Sequence, residues 1–171
     1  MNTTKERLTV MLPSDNEIHM ERTFDAPRAL VFEAVTRPEH VTKWWGCGGG
    51  VEKLAVCEID LRVGGSYRFL IRKPGGQEYA FKGVYREIVQ PSRLVYTQIY
   101  DVEPFNTHEA IVTTIFDEHD GRTTLRETTW CASKAVRDGW LQSGMEQGAG
   151  KSLDALAELL QTLKKPSHHD E

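Results

Sequence analysis

The string TTLRETTW, residues 123–130, carries the side chain best suited to chemistry, Glu127. Read as a strand with Leu125 facing a core, it brings Thr123, Glu127 and Thr129 to the same face and sends Arg126 outward. A carboxyl in an apolar wall has its pKa raised and can serve as an acid, a base or a ligand anchor. The competing arrangement is a salt bridge at a sheet end, or a one-residue bulge that turns Glu127 outward. Bulges break alternation often enough to make that the favoured expectation. His108 and Glu109 form a second candidate, because histidine titrates near neutrality and the pair could hold a proton relay or line a pocket mouth. Adjacent strand residues point to opposite faces, so only one of the two can enter a shared site, and a surface strand end is expected for them. Glu127 and His108 are the candidates for catalysis.

Aromatic residues supply the next group. Trp44 and Trp45 close a short helical run and could cover one end of an apolar cavity, although packing of a small helix on a sheet is the preferred account. Tyr67, Phe69, Phe81 and Tyr85 lie in strand-like runs, and Tyr96, Gln98 and Tyr100 share one face with Leu94 by alternation. If that face is inward, the hydroxyl and amide groups need partners that a ligand or water can supply. Cys47, between glycines, has no sequence neighbour able to lower its pKa and reads as an ordinary loop cysteine. His168 and His169 belong to the tail, and no other histidines and carboxylates have metal-ligand spacing. Neither a metal nor a cofactor is expected.

The letters GAGKS at 148–152 suggest a phosphate-binding loop. That loop needs a glycine, four residues, then Gly-Lys-Ser/Thr directly after a buried strand. Position 145 holds methionine instead, and Gly144 comes one residue too early. Val136, Trp140, Gly144, Gly148, Ser152, Leu156 and Leu160 recur every four residues, the stripe of one long helix capped by Ser133, with Lys151 off the stripe and pointing to water. A glycine costs roughly 1 kcal/mol relative to alanine in a helix interior. Gly144 and Gly148 therefore mark either close packing or a kink, or a cavity between helix and sheet roofed by Trp140 and Met145.

These residues need a frame. EIHMERTFDA, residues 17–26, alternates as a strand, and APRALVFEAVT and PEHVTKWWG read as short helices opened by Pro27 and Pro38. From residue 54 to 130 come six runs rich in Val, Ile, Thr and aromatics, separated by turns too short for parallel crossovers. The middle of the chain is an antiparallel meander with a long helix after it. Residues 1–16 are expected to form a flexible arm, 17–164 a single domain and 165–171 a disordered tail.

The net charge of −4 argues against nucleic acid as a partner. No apolar stretch approaches the ~20 residues of a membrane span, and the N-terminal residues lack an apolar run of signal-peptide length. Cys47, Cys57 and Cys131 stand at unrelated spacings, which indicates neither a disulfide framework nor a zinc knuckle. A cytoplasmic setting is the simplest.

The order of elements, with the strings ERTFDAPRALVFEAVTRPEHVTKWWG, DLRVGGSYRFLI, GVYREIVQPSRLVYT and GWLQSGMEQGAGKSLDALAELL, resembles the SRPBCC superfamily, START-like and birch-pollen-allergen-like, over roughly residues 18–163. Within it the chain is similar to the branch homologous to the C-terminal domain of the heat-shock-chaperone ATPase activator (Aha-type). The glycine-rich GCGGG after Trp45 departs from the family pattern. The resemblance implies an α+β helix-grip fold, in which a curved antiparallel seven-stranded sheet, two short helices and a long C-terminal helix enclose a cavity.

Three functions follow from it. The first is binding of a small apolar or amphipathic molecule in that cavity, with Trp44, Trp45, Phe69, Phe81, Tyr96, Gln98, Glu127, Trp140, Gly144, Met145 and Gly148 as the ligand-binding candidates. The second is a cofactor-free cyclase or hydratase using Glu127 with a tyrosine or His108, and the third a protein-interaction module with a chaperone as partner. Binding ranks first because the glycine stripe, the aromatic sheet and the family's habit favour it, although a fold shared by many functions does not by itself name one. The protein is expected as a monomer or homodimer.

Overall fold

The computed structural model describes residues 7–47 and 51–164. The tail at 165–171 with His168 and His169, the first six residues of the expected arm, and residues 48–50 of the glycine-rich loop lie outside the described residues.

Strand β1 (Thr9–Met11) precedes β2 (Glu17–Phe24), which buries Ile18, Met20, Arg22 and Phe24 and keeps His19, Glu21 and Thr23 on its outer face. Pro27 stands at the start of α1 (Arg28–Thr36), where its missing N–H has no helical partner to lose. The next helix, α2 (Pro38–Trp44), follows after one residue, and the chain turns away at Gly46 with φ 71°. Then come β3 (Val56–Ile59), β4 (Ser66–Arg72), β5 (Glu78–Val89), β6 (Arg93–Tyr100), β7 (Ala110–His119) and β8 (Arg122–Trp130). All neighbours pair antiparallel in the order β1-β2-β8-β7-β6-β5-β4-β3.

The sheet thus has eight strands where seven were expected, because residues 9–11 of the presumed arm pair with the edge of β2. Three residues are too few to declare a strand in sequence. What recruits them is the unpaired edge of β2 and the packing of Leu8 and Val10 against the cluster of Ile18, Met20, Ala110 and Trp140.

The single long helix of the sequence reading is two. Helix α3 (Lys134–Gln142) is capped by Ser133, whose hydroxyl accepts the Val136 N–H at 3.2 Å, and α4 (Met145–Lys164) follows a break at Gly144, φ 88°. The period-four stripe runs through the break, so periodicity could not reveal it. Glycine at 144 serves the left-handed turn and not a helix interior.

Helix α4 buries Leu153, Leu156 and Leu160 in a core with Phe24, Phe32, Trp44, Phe116 and Leu125. Arg22, inward on β2, reaches Asp154 of this helix at 2.8 Å, with its guanidinium 5.3 Å from the centre of the Phe24 ring. Across the sheet, β5 shifts register between Tyr85 and Glu87. Just before that shift, Gly83 lies so close to β6 that an added Cβ would strike the Thr97 carbonyl oxygen and come 2.7 Å from the Tyr67 ring. Gly83→Ala should therefore lower unfolding stability by about 2–3 kcal/mol in urea denaturation. Gly148→Ala, whose Cβ meets nothing within 4 Å, should raise it by up to ~1 kcal/mol through helix propensity.

Candidate functional site

Between the concave face of the sheet, the end of α2 and the first turns of α4 lies a cavity of about 600 Å³, which is the size of a small-molecule site. Its wall is mostly aromatic. Trp45 meets Phe69 at 5.0 Å and Phe81 at 4.7 Å between ring centres, and Phe81 stacks on Tyr100 at 4.7 Å. Tyr67 stands 5.6 Å from both Tyr85 and Tyr96. Trp140 and Met145 contribute to the roof, together with Gly144 and Gly148.

The small residues Gly148 and Ala149 in the first turns of α4 help leave this space open. An added Cβ at Gly144 or Gly148 meets nothing within 4 Å, whereas Leu153, Leu156 and Leu160 further along the helix are buried. Of the readings of these glycines, a kink describes Gly144, which breaks the helix with φ 88°, and empty space describes Gly148; close packing describes neither.

Glu127 faces this space. The pairing of β8 with β2 and β7 runs without a shift and sets Glu127 opposite Met20 and Thr114, so the bulge expected to turn it outward is absent from β8. The irregularity lies in β5 instead. Glu127 is closed in by protein, and the exposure it keeps is toward the cavity it lines. Burial raises its carboxyl above the ordinary value, opposed only in part by the Tyr96 hydrogen bond and by His19 on the opposite face of the sheet. The Tyr96 hydroxyl donates to Glu127 Oε2 at 3.1 Å. Burial, reinforced by the neighbouring carboxyl, pushes the Tyr96 phenol well up. Among the described residues, neither Glu127 Oε1 nor the Gln98 amide has a hydrogen-bond partner. The Glu127–Tyr96 pair could exchange a proton with a bound molecule or hold one of its polar atoms.

The other candidates divide. Gln98 lines the cavity beside Tyr96 and Tyr100, as the inward alternative required. Trp44 keeps its indole N–H on the Ala34 carbonyl at 2.9 Å and belongs to the core, with part of its surface on the cavity, while Trp45 lies on the cavity wall with Phe69 and Phe81. His108 does not join Glu127. It ends a 3-10 turn (Phe105–Thr107), with its backbone N–H on the Phe105 carbonyl at 3.1 Å, outside the cavity wall. Adjacent Glu109 points to solvent and pairs with Arg86 at 3.7 Å. The relay of His108 with a cavity acid is thereby removed, because the turn ends before the sheet face begins. Cys47 also lines the cavity, and burial pushes its thiol up, which disfavours a reactive thiolate.

Tyr67, Tyr85, Thr114 and Met20 also line the wall; the sequence places the first two in the sheet, but none of the four is among the ligand-binding candidates. Tyr67 stands two residues before Phe69 and Tyr85 four after Phe81, so alternation could have found both. Met20 and Thr114 reach Glu127 through strand register, which no local string displays. Lys151 is exposed, as expected, but also lines the cavity, as does Lys73, whose ammonium lies 5.3 Å from the centre of the Tyr79 ring.

Comparison with known proteins agrees with this architecture. Residues 25–161 match the family described as Activator of Hsp90 ATPase homolog 1-like protein. A Rhodobacter sphaeroides crystal structure superposes with a TM-score of 0.83 at 22% identity, over 92% of this chain and 99% of that one. A Chromobacterium violaceum structure is 28% identical with a TM-score of 0.70, over 85% and 98% of the two chains. The solution structure of an AHSA1-like protein from Aeromonas hydrophila gives 0.68 at 20% identity, over 91% and 99%. No curated protein matches the sequence significantly.

The buried carboxyl has a measurable consequence. Its pKa in the folded state is raised from an ordinary 4.5, so its contribution to stability is fully present below that value and is lost as pH rises through the folded-state pKa. Glu127→Gln escapes the loss. Its melting temperature should match wild type near pH 4 and exceed it at pH 7–8, as thermal unfolding across that range would reveal.

Proposed function

The chain belongs to the Activator of Hsp90 ATPase homolog 1-like family, and we propose that it binds a small apolar or amphipathic molecule in the cavity beneath α4. The observation that carries this reading is the combination of about 600 Å³ of space, an aromatic wall, and two polar groups, Glu127 Oε1 and the Gln98 amide, without a hydrogen-bond partner among the described residues. Apolar surface supplies the driving force for such a ligand, and a few placed polar groups supply orientation. A compound present at a hundred times its Kd stabilises the folded state by ~2.7 kcal/mol, or roughly 5–10 °C in Tm for a chain of this size.

A panel of lipids, aromatics and polyketide-like compounds should therefore contain members that raise the melting temperature. Gly148→Leu, which puts a side chain into the open space beneath the helix, should abolish the shift while the variant remains folded. A panel without any stabilising compound would overturn the reading. The family description favours a second one, in which a heat-shock chaperone docks on the outer surface. That interaction would survive Gly148→Leu, and failure to bind or stimulate the same organism's chaperone would end it.

A further inference from the structure

We propose that the molecule held in this cavity carries a positively charged nitrogen, seated at Glu127 beside Tyr96 and Tyr67, with an apolar body extending toward Trp45 and Phe81. The inference rests on the cavity-binding reading and adds the chemical class of the ligand.

The first support is a missing partner. Glu127 is the one carboxylate on the cavity wall among the described residues. The chain otherwise pairs the charges it buries. Arg22 has Asp154 at 2.8 Å, and Arg137 has Asp138 at 2.9 Å and the Ser14 carbonyl at 2.6 Å. Glu127 forms no ion pair with any described residue, and its one hydrogen bond comes from a neutral phenol. Removal of a carboxylate from water without a cationic partner is costly, so a ligand cation would meet a site that already lacks its counter-charge.

The second support is the surrounding surface. Tyr67, Tyr85 and Tyr96 lie with ring centres 5.6–6.0 Å apart, and Tyr96 is itself bonded to the carboxyl. Aromatic faces attract organic cations, and do so most strongly where water is excluded. Tyr96 already donates to Oε2, which leaves Oε1 open to an N–H donor from the cavity. Lys73 and Lys151 do not contradict this arrangement. Both are exposed to solvent, where salt screens them, and Lys73 lies over the Tyr79 ring.

The test uses three compounds that share one apolar body and differ at one end: 4-(2-naphthyl)butylamine, the corresponding alcohol and the corresponding carboxylic acid. Their affinities are measured by titration calorimetry at pH 7 on wild type, Glu127→Gln and Gly148→Leu. The expected result is an amine at least roughly tenfold tighter than the alcohol in wild type, the scale of a charge-assisted hydrogen bond. That preference should vanish in Glu127→Gln, whose cooperative thermal unfolding certifies that the variant is folded. Gly148→Leu should lose both compounds. Equal binding of amine and alcohol, removed by Gly148→Leu, would overturn the cationic ligand and leave the cavity reading standing. So would a preference that survives Glu127→Gln. Tightest binding by the carboxylic acid would overturn it in favour of an anion met by the lysines or by a protonated Glu127. Absence of binding by all three would count against the cavity reading and overturn this inference with it.

Discussion

Helix α4 is packed at one end and held off the sheet at the other, and the interior of the protein follows from that difference. Leu156 and Leu160 are fully buried, and the Arg22–Asp154 pair ties the helix to β2. Each such leucine contributes about 1.5–3 kcal/mol of apolar burial, enough to fix the axis of the helix over the sheet. Toward its start the helix carries Gly148 and Ala149 after the break at Gly144, and the space that leucines occupy further along stays open. A hydrophobic core is ordinarily filled to the density of an organic crystal. A hollow of this size forgoes that packing, and features that lower stability without a structural return collect at functional sites.

The same division appears in the electrostatics of one strand. On the outer face of β8, Arg126 pairs with Glu21 at 2.9 Å and Asp117 at 3.0 Å, while His19 bridges Glu21 and Thr128 at 2.8 and 2.7 Å. These charges face water and are mutually compensated. One residue further along the strand, Glu127 faces inward with a phenol for company. The pleat alone separates them. Each of these water-facing pairs is screened by solvent, whereas the low dielectric around the inner carboxyl magnifies every interaction made with it.

Much of the frame was legible in the chain. Pro27, Pro38 and Ser133 marked helix starts because their backbone preferences act within a few residues. The antiparallel order of the central strands followed from turns too short for any other connection. The inward set Tyr96, Gln98 and Tyr100 could be listed as sharing a face, though not which face. Legibility failed where an outcome depended on contacts distant in sequence. Strand β1 forms on three residues because β2 offers an edge, and the helix breaks at Gly144 although the stripe continues across it. His108 was a plausible partner for Glu127 on chemistry alone, but the turn that ends at it keeps it off the concave face.

The amino-acid sequence by itself determined the periods: which residues alternate, where helices begin, and that glycines replace larger side chains at 144 and 148. These are local properties, set by backbone sterics and hydrogen bonding over a turn or two. Tertiary structure alone decided the direction of each face and the use made of the glycines. Unbroken register between β2, β8 and β7 turned Glu127 inward, and the packing of Leu156 and Leu160 held the start of α4 above an open space. Both outcomes depend on side chains brought together from opposite ends of the chain, a relation that no short stretch of residues contains.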